Sequence, residues 1–268
     1  MGSVVLPRRL EGKVALITGA SQGIGEHIAK MFIKNGAIVA NADIVPPSAT
    51  TEDSFTVDDQ ILYIRCDVTK EFYVEDAVKT VVDKYGKLDI LINNAAVVDP
   101  PKKCVLDNDL NDFERVLSVN VTGVFLGIKH AATVMIPARG GTIINLGSIS
   151  SILGGQTSHA YSSSKHAVVG LTKNAAAELG QYGIRVNCLS SSALATPLTK
   201  MFFNMDKEGQ HEIYSNLTGK ILDLDDLAYG ALYLASEESK YVSGHNLTID
   251  GGYTVTNPAF GLFSRINL

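Results

Sequence analysis

Tyr161 and Lys165 are the residues of the sequence whose types and spacing most directly point to chemistry. They lie four apart in HAYSSSKHAVVG (159–170), and in a helix this spacing places both side chains on one face. A free tyrosine has a pKa of about 10, and a cation about 4 Å away in a desolvated site lowers it. The pair therefore predicts a general acid/base tuned toward neutral pH. The alternative is that the spacing is chance and both residues lie on a helix surface.

Two more polar residues have positions that fit the same site. Ser148 follows the predicted strand GTIINL (141–146), where its hydroxyl can hydrogen-bond a substrate oxygen. Asn120 lies in SVNVTG among the apolar neighbours of a predicted helix, and a buried asparagine needs hydrogen-bond partners. We expect Asn120 either to hold a water that leads to the lysine or to be a satisfied core or helix-kink residue.

A glycine-rich turn, TGASQGIG (18–25), joins the first predicted strand to the first predicted helix. Glycines at such a turn let the backbone approach a pyrophosphate, which then lies on the free N–H groups of the helix N-terminus. The spacing is G-x-x-x-G-x-G rather than the common dinucleotide fingerprint, and a glycine cluster alone can be only a turn. The residues expected to contact a cofactor here are Gly19, Gln22, Gly23, Ile24 and Gly25.

An acid ends the second predicted strand. Asp43 lies eighteen residues after Gly25, where a carboxylate accepts hydrogen bonds from an adenosine ribose. A carboxylate repels a 2′-phosphate, and because no Arg or Lys is expected nearby, the sequence favours NAD over NADP. Asp67 and the segment NNAA (93–96) end two further predicted strands, at the edge where open α/β sheets bind ligands. Each of these residues could instead cap a helix or form a turn.

The elements that must position these residues alternate between short apolar strands and helices. Apolar strands separated by helices predict a parallel sheet covered on both faces, in one doubly wound α/β domain. Strands are predicted at 13–18, 37–42, 61–65, 88–92, 141–146, 184–189 and 246–249. Helices are predicted near 23–35, 70–85, 108–137, 159–181 and 225–236, the last with Asp225 as its N-cap.

The composition excludes several classes of protein. The chain has 268 residues, 46% of them hydrophobic, which suits one α/β domain with a large core. A net charge of −5 without a run of Lys or Arg argues against nucleic acid or an anionic membrane as a partner. No apolar stretch approaches the roughly 18 residues of a membrane span, and no signal peptide is visible. Three widely spaced cysteines fit neither a disulfide framework nor a metal site, so we expect a reduced cytoplasmic protein without a metal.

The ordered motifs closely resemble the short-chain dehydrogenase/reductase family over residues 10–253. They are TGASQGIG, the NNA of 93–95, Asn120, Ser148, YSSSK (161–165) and DGG (250–252). The resemblance implies a single Rossmann-like domain over 1–268, with a seven-stranded doubly wound sheet and helices on both faces. It also implies a catalytic tetrad, in which Tyr161 is the acid/base and Ser148 polarises the substrate. Lys165 then tunes the tyrosine and clamps the ribose, and Asn120 supports a proton relay.

The resemblance further implies NAD as the cofactor and a homo-oligomer, a tetramer or a dimer. The implied cofactor-binding residues are Leu194 and Thr196 at the nicotinamide carboxamide, Asp67 and Val68 at the adenine, and Asn93 and Ala95 from the NNA motif. In the family, the long fourth and fifth helices form a dimer interface.

Within the family, the stretch 158–190 (SHAYSSSKHAVVGLTKNAAAELGQYGIRVNCLS) resembles plant secondary-metabolism enzymes. The resemblance is strongest to the nepetalactol-related short-chain dehydrogenases of iridoid metabolism. Some of these oxidise nepetalactol to nepetalactone with NAD, and others bind NAD but cyclise a reactive enol to nepetalactol without redox chemistry. We favour an NAD-dependent dehydrogenase acting on a small monoterpenoid alcohol or lactol. The alternatives are a non-redox cyclase with NAD as a structural cofactor and a catalytically idle binding protein.

Three departures from the family pattern fall beside the expected site of reaction. Ala96 replaces the last residue of Asn-Asn-Ala-Gly, and Gly147 precedes the serine where a bulkier small residue is common. The pair Ser191-Ser192 replaces Pro-Gly. Because a Pro-Gly pair fixes the backbone, two serines there change the wall beside the nicotinamide and add hydrogen-bonding groups.

Two further segments are expected to serve the substrate and a partner. Residues 197–220 are rich in Met and Phe, which favours a lid over an apolar terpenoid-like substrate, although the same residues could be helix core. The apolar tail 254–268 is expected to pack on a partner subunit. The candidate substrate-binding residues are Gly154, Ser191, Ser192, Met201, Phe202 and Met205.

Overall fold

The computed structural model describes residues 8–46, 61–203, 216–217 and 219–255. These residues form a parallel seven-stranded sheet with the strand order β3-β2-β1-β4-β5-β6-β7. The strands are β1 (Val14–Thr18), β2 (Ile38–Asp43), β3 (Ile61–Arg65), β4 (Ile90–Asn93), β5 (Gly141–Leu146), β6 (Ile184–Ser191) and β7 (Asn246–Ile249). The predicted doubly wound sheet is confirmed.

Helices cover both faces of this sheet. They are α1 (Gly23–Lys34), α2 (Glu71–Tyr85), α3 (Leu110–Leu117), α4 (Gly123–Ala138), α5 (His159–Leu179), α6 (Pro197–Phe203) and α7 (Leu224–Ala235). One apolar core lies between the sheet and α2, α4 and α5, and a second lies between the sheet and α1 and α7. Because both faces are covered, strands such as β1 are buried at every position and mostly apolar.

The central strand β1 determines where a ligand can bind. It pairs with β2 on one side and with β4 on the other, so the chain order reverses between β1 and β4. At such a reversal the connections after the two strands run to opposite faces, and a crevice opens at the carboxyl edge of the sheet. Thr18 and Asn93, the last residues of these two strands, therefore mark the edge where the site is expected.

The helix predicted over 108–137 is interrupted. α3 ends at Leu117, residues Ser118–Thr122 form a turn of π-helix, and α4 begins at Gly123. The wide turn is closed by the N–H of Gly123, which donates to the carbonyl of Ser118. Single π-helical turns inside α-helices are frequent at functional sites, and this one carries the buried Asn120.

The same helical run corrects the expectation about apolar stretches. By length and composition alone, residues 110–138 would be able to cross a membrane. In the fold α4 packs on the sheet and on α2 and α5, and its buried residues include Val124, Leu126, Ala131 and Met135. Packing in the core accounts for its apolar composition.

The N-cap predicted at Asp225 is wrong. The cap of α7 is Asp223, whose carboxylate accepts from the N–H of Asp226 at 3.0 Å. The carboxylate of Asp226 in turn accepts from the N–H of Asp223 at 2.9 Å, which completes a capping box. The reciprocal pair selects Asp223, because only that residue has an acid three positions later that bonds back to it.

Several predictions fall on residues outside the described ranges. They are most of the predicted lid (204–215 and 218), which includes Met205, and the tail from 256 to 268. Within the described ranges, α6 occupies the start of the predicted lid, and Tyr253–Val255 form a short 3-10 turn where the tail begins. The lid and the tail contact therefore stay predictions.

Candidate active site

The turn between β1 and α1 requires glycine at its first position. Gly19 has a φ of +66°, and a Cβ there would lie 2.7 Å from the Cα of Ala95. The Nδ2 of Asn94 donates to the carbonyls of Thr18 and Gly19 at 2.9 and 2.8 Å, which fastens the turn to the end of β4. A Cβ on Gly25 would lie 2.5 Å from that same Nδ2, so Gly25 allows close packing of α1 on the turn.

We expect Gly19→Ala to weaken both folding and cofactor binding. An alanine at positive φ costs about 1–2 kcal/mol, and the contact with Ala95 adds an overpacking cost of about 1–3 kcal/mol. The matched control is Gly12→Ala, because Gly12 also has positive φ, at +69°, but no residue in the described ranges lies within 4 Å of the position that a Cβ would take there. Urea unfolding of the two variants, with NADH titration, measures the difference. Equal losses in both variants would contradict the close approach at Gly19.

A cavity of about 300 Å³ lies at the carboxyl edge of the sheet, over this turn. Most of the predicted cofactor residues line it: Gly19, Gln22, Gly23, Ile24, Asp43, Asp67, Val68, Ala95, Tyr161, Lys165 and Thr196. Lining residues that the sequence did not indicate include Val45, Cys66, Val97 and Val119. These are mostly apolar residues that follow strand ends, and in the sequence they are indistinguishable from core residues.

Three residues predicted to contact the cofactor do not line this cavity: Gly25, Asn93 and Leu194, of which Leu194 lines a smaller cavity beside it. Gly25 is buried under the turn. Asn93 points into the core, where its Nδ2 donates to the Oδ1 of Asn145 at 2.8 Å. The Nδ2 of Asn145 continues the network to the Thr172 hydroxyl at 2.9 Å, which ties β4 and β5 to α5. Of the two asparagines in the NNAA segment, Asn94 therefore faces the site and Asn93 does not.

Asp43 lies at one end of the cavity with both carboxylate oxygens engaged. They accept hydrogen bonds from the N–H groups of Ser21 at 3.0 Å and Val45 at 3.1 Å. The expectation of no basic residue nearby is wrong, because β3 places Arg65 directly beside Asp43 in the sheet register. Arg65 is exposed and lies outside the lining of the cavity, whereas Asp43 is part of it.

Tyr161 and Lys165 lie at the other end of the cavity, in the first turns of α5. The Nζ of Lys165 donates to the carbonyl of Leu146 at 2.8 Å and lies 5.4 Å from the centre of the Tyr161 ring. Both side chains are buried, Lys165 with 4% of its surface exposed. The two residues are therefore neighbours in an interior site, and the helix-surface alternative is excluded.

The pKa values of this pair differ from the expectation. Burial raises the pKa of Tyr161 to about 12, and hydrogen bonding with Ser148 acts in the opposite direction. Burial lowers the pKa of Lys165 to about 8. For both residues the loss of hydration on burial is the largest cause of the shift, so Tyr161 is a phenol at neutral pH in the cofactor-free protein, and its tuning in the assembled site stays a prediction.

Ser148 follows β5 at the same edge of the sheet. It caps a short 3-10 turn, Ile149–Ser151, and its hydroxyl oxygen accepts from the N–H of Ser150 at 3.1 Å. This contact leaves the hydroxyl proton of Ser148 for another acceptor. The residue before it, Gly147, lies against β6, and a Cβ there would be 2.3 Å from the hydroxyl of Ser190. The missing side chain at 147 thus allows the close approach of β6.

The side chain of Asn120 is satisfied by protein groups. Its Oδ1 accepts from the N–H of Val97 at 2.8 Å, and its Nδ2 donates to the Val97 carbonyl at 2.9 Å and to Ser164 at 3.0 Å. This arrangement matches the alternative of a satisfied asparagine at an irregular helix turn. Its three hydrogen bonds go to these two residues rather than to Lys165, so a role in a proton relay stays a prediction.

A second, smaller cavity of about 120 Å³ adjoins the first. The predicted residues Ser148, Ser191, Ser192, Leu194, Thr196 and Phe202 line it, together with Val98, Ile149, Ser150, Gln156, Thr157, Leu198 and Thr199. Gly154 is exposed and lines neither cavity, so its prediction as a substrate-binding residue is not supported, whereas Gln156 and Thr157 of the same loop line the smaller cavity. Of Met201 only the helical backbone is described.

The chemistry of the larger cavity fits a dinucleotide. A carboxylate at one end can accept hydrogen bonds from a ribose, a glycine turn at a helix N-terminus suits a pyrophosphate, and a buried ammonium lies at the other end. In the described ranges no group of three His, Cys, Asp or Glu side chains is placed to hold a metal ion. Burial raises the pKa of the cysteines nearest the site, Cys66 to about 12 and Cys188 to about 11, so both are thiols at neutral pH.

Comparison with known proteins gives consistent matches over nearly the whole chain. The family model described as enoyl-(acyl carrier protein) reductase matches residues 19–254. Secoisolariciresinol dehydrogenase of Forsythia intermedia is 53% identical over 262 residues, which cover 96% of this chain and 95% of that protein. The mitochondrial borneol dehydrogenase of Lavandula x intermedia is 51% identical over 267 residues, which cover 100% of both chains.

Solved structures share the fold. The 3-ketoacyl-(acyl-carrier-protein) reductase from Brucella melitensis, in a complex with NADH, is 34% identical with a TM-score of 0.81. The match covers 91% of this chain and 99% of that one.

Proposed function

The chain belongs to the short-chain dehydrogenase/reductase family, and from that premise we propose that it is an NAD-dependent dehydrogenase of a small terpenoid alcohol or lactol. The finer form of the proposal is the oxidation of nepetalactol to nepetalactone. The borneol dehydrogenase of lavender, a relative of equal length, supports a terpenoid alcohol as the substrate class. The relative crystallised with NADH supports the cofactor.

The observation that carries the proposal is the position of Tyr161 between the two cavities. Tyr161 lines both of them, and Lys165 lines only the larger one. Ser148 lines only the smaller one, next to Tyr161. The oxygen of a substrate in the smaller cavity would thus lie near the hydroxyls of Tyr161 and Ser148. The ammonium of Lys165 would face the cofactor in the larger cavity.

The side chains have the chemistry for oxidation of an alcohol. Tyr161 accepts the proton of the substrate hydroxyl, and Ser148 donates a hydrogen bond to the same oxygen. NAD, when bound, supplies the hydride acceptor and a positive charge. The alcohol carbon loses its hydrogen as hydride and the oxygen loses its proton, which leaves a carbonyl. Lys165 supplies a second positive charge that favours the phenolate over the phenol.

The lining of the smaller cavity suits a compact, mostly apolar substrate. Ile24, Val98, Leu198 and Phe202 provide apolar contact, and the hydroxyls of Ser192 and Thr157 add polar groups. A cavity of about 120 Å³ is small for a drug-sized ligand and fits a compact ring system better than a flexible chain.

Asp43 is expected to set the preference for NAD. Replacing Asp43 with Asn removes the negative charge that repels a 2′-phosphate but keeps the shape of the side chain. We expect the ratio of kcat/KM for NAD to that for NADP to fall by about tenfold or more, which corresponds to about 1.4 kcal/mol. Steady-state kinetics with both cofactors measure the ratio. Asp83→Asn, in an exposed ion pair of α2, is the control, and an unchanged ratio in D43N would assign the preference to other residues.

The assay that tests the proposed function supplies NAD with borneol and nepetalactol and follows NADH formation. In parallel, the reactive enol precursor of nepetalactol is supplied and its cyclic products are analysed. The proposal predicts NADH formation with at least one of the alcohols. No NADH from any alcohol, together with a changed ratio of cyclic products, would reject it in favour of a cyclase that binds NAD as a structural cofactor.

A further inference from the structure

Tyr161 occupies a special position in α5. The helix has Ser158 as its N-cap, so Tyr161 is the third residue of the first turn. Backbone N–H groups of the first turn have no acceptor within the helix. The N–H of Tyr161 donates instead to the hydroxyl oxygen of Ser158 at 3.2 Å. The backbone of the residue proposed to do the chemistry is therefore held by a side chain.

The orientation of this cap depends on a buried acid. The hydroxyl of Ser158 donates to a carboxylate oxygen of Asp99, and both side chains are buried, with 5% and 4% of their surface exposed. A serine hydroxyl has one proton and two lone pairs. Because Asp99 takes the proton, a lone pair is left to face the N–H of Tyr161. Asp99 thus decides whether Ser158 acts as an acceptor for Tyr161.

The carbonyl of Tyr161 is held from the opposite direction. It accepts from the hydroxyl of Ser164 at 2.7 Å, and that hydroxyl accepts from the Nδ2 of Asn120 at 3.0 Å. Asn120 in turn accepts from the N–H of Val97 at 2.8 Å. Two residues after β4 therefore reach Tyr161, Asp99 toward its N–H and Val97 toward its carbonyl. Val97 lines the larger cavity, and Val98 lines the smaller one.

We infer that Asp99 is a positioning residue for Tyr161, and that the hydrogen-bonded relay from Asp99 through Ser158 fixes the tyrosine between the two cavities. The inference deepens the proposed function and rests on it for its kinetic consequences. The relay itself is a structural claim that does not depend on the reaction. Asp99 acts as a hydrogen-bond acceptor here, so an amide at this position should preserve much of its effect.

The test compares Asp99→Ala, Asp99→Asn and Ser158→Ala by steady-state kinetics and by amide hydrogen exchange. We expect kcat to fall by about 10- to 100-fold in D99A and S158A, as a small displacement of a reacting group would cause, with the KM for NAD roughly unchanged. D99N should retain most of kcat. The double variant D99A/S158A should be no slower than the slower single variant, because both changes break one relay.

Amide hydrogen exchange tests the hydrogen bonds of the relay without any substrate. Exchange of the Tyr161 N–H should be faster in both D99A and S158A than in the unaltered protein. The matched control is Asp89→Ala, because Asp89 also accepts from a backbone N–H, that of Val14 at 2.8 Å, but at the opposite edge of the sheet. D89A should lose stability without a change in kcat or in exchange at Tyr161. If D99A does not fold, S158A and D99N carry the comparison.

Two results would overturn the inference. The first is that S158A and D99A show the same kcat as D89A and the same exchange rate of the Tyr161 N–H. The other is a D99N variant as impaired as D99A, since the charge rather than the acceptor would then be needed. An unaltered protein that forms no NADH from any alcohol rejects the proposed function, and in that case the exchange rates alone decide the relay.

Discussion

Replacing Tyr161 with Phe is expected to lower NADH formation by a factor of about 10² to 10⁴, the range usual for the loss of a general acid/base. The change removes one oxygen from a residue that lines both cavities. The ring that packs there remains, so affinity for NADH should stay close to that of the unaltered protein. Since the chain has no tryptophan, the fluorescence of NADH itself reports binding without interference from tryptophan.

A second tyrosine provides the control for this variant. The hydroxyl of Tyr85, near the end of α2, is buried and has no hydrogen-bond partner among the described residues. Tyr85→Phe should therefore leave both activity and NADH affinity unchanged. A Y161F variant that oxidised alcohol at the unaltered rate would refute the tyrosine-centred mechanism. A Y161F variant that lost NADH binding as well would show that the hydroxyl serves cofactor binding and not only proton transfer.

Replacing Lys165 with Met is expected to weaken activity and strengthen the cofactor-free fold. Burial lowers the pKa of Lys165 from 10.5 to about 8, and at about 1.4 kcal/mol per pKa unit the buried ammonium costs on the order of 3 kcal/mol at pH 7. Methionine fills similar space without a charge. We expect kcat/KM for alcohol oxidation to fall by about 10² or more, since the charge that favours the phenolate is lost.

The stability gain should depend on pH in a defined direction. The pKa of Lys165 is lower in the folded than in the unfolded chain, so between about 8 and 10.5 the unfolded chain binds more protons and stability rises with pH. The penalty is complete below pH 8, and the advantage of K165M should shrink toward zero as the pH approaches 10.5. Urea unfolding at about pH 7, 8.5 and 10 covers this range and measures the difference in the free energy of unfolding between K165M and the unaltered protein. Burial raises the pKa of Tyr161 from 10.0 to about 12, so its effect on stability begins near pH 10, and we expect it to cancel when K165M is compared with the unaltered protein.

An exposed lysine controls for the loss of charge in general. Lys79 in α2 forms an ion pair with Asp83, and its side chain is 70% exposed. Such surface pairs contribute little to stability, so Lys79→Met should change it little. A K165M variant no more stable than K79M at pH 7, or a gain that persisted at pH 10, would show that Lys165 is not a desolvated ammonium in the cofactor-free protein.

The sequence predicts the sheet and the edge of the site well, and the reasons are local. Apolar strands of four to eight residues separated by helices are distinctive in a parallel sheet, and all seven formed where expected. A glycine turn such as the one at Gly19 can be recognised in the sequence, because a side chain there would meet both a positive φ and the backbone of Ala95 after β4. Residues that directly follow strands, such as Ser148 and Asp67, reach the same edge because parallel strands end together.

Other features depend on contacts between distant residues. Asn93 and Asn94 are adjacent and identical in type, yet alternation along the end of β4 sends one into the core and the other to the glycine turn. The π-helical turn at Asn120 depends on its bonds to Val97 and Ser164, which a helical pattern cannot reveal. Asp99 precedes two prolines and resembles an ordinary loop acid in the sequence.

The charge states of Tyr161 and Lys165 could not be predicted from the sequence either. The spacing of Tyr161 and Lys165 indicates that the two side chains are neighbours, but their pKa values depend on how completely the surrounding helices exclude water. Because burial disfavours the charged form of both groups, we expect the tuning of Tyr161 to need positive charge from a bound cofactor in addition to Lys165. The pair therefore functions as part of the assembled site rather than alone.

The most direct test of hydride transfer uses an alcohol substrate with deuterium on its carbinol carbon. The labelled alcohol is incubated with NAD, and mass spectrometry of the recovered cofactor and product locates the label. We predict reduced cofactor that carries one deuterium for each carbonyl formed, and no such transfer in Y161F. Product that keeps all of its deuterium, with the NAD recovered in its oxidised form, would contradict hydride transfer and identify a non-redox reaction.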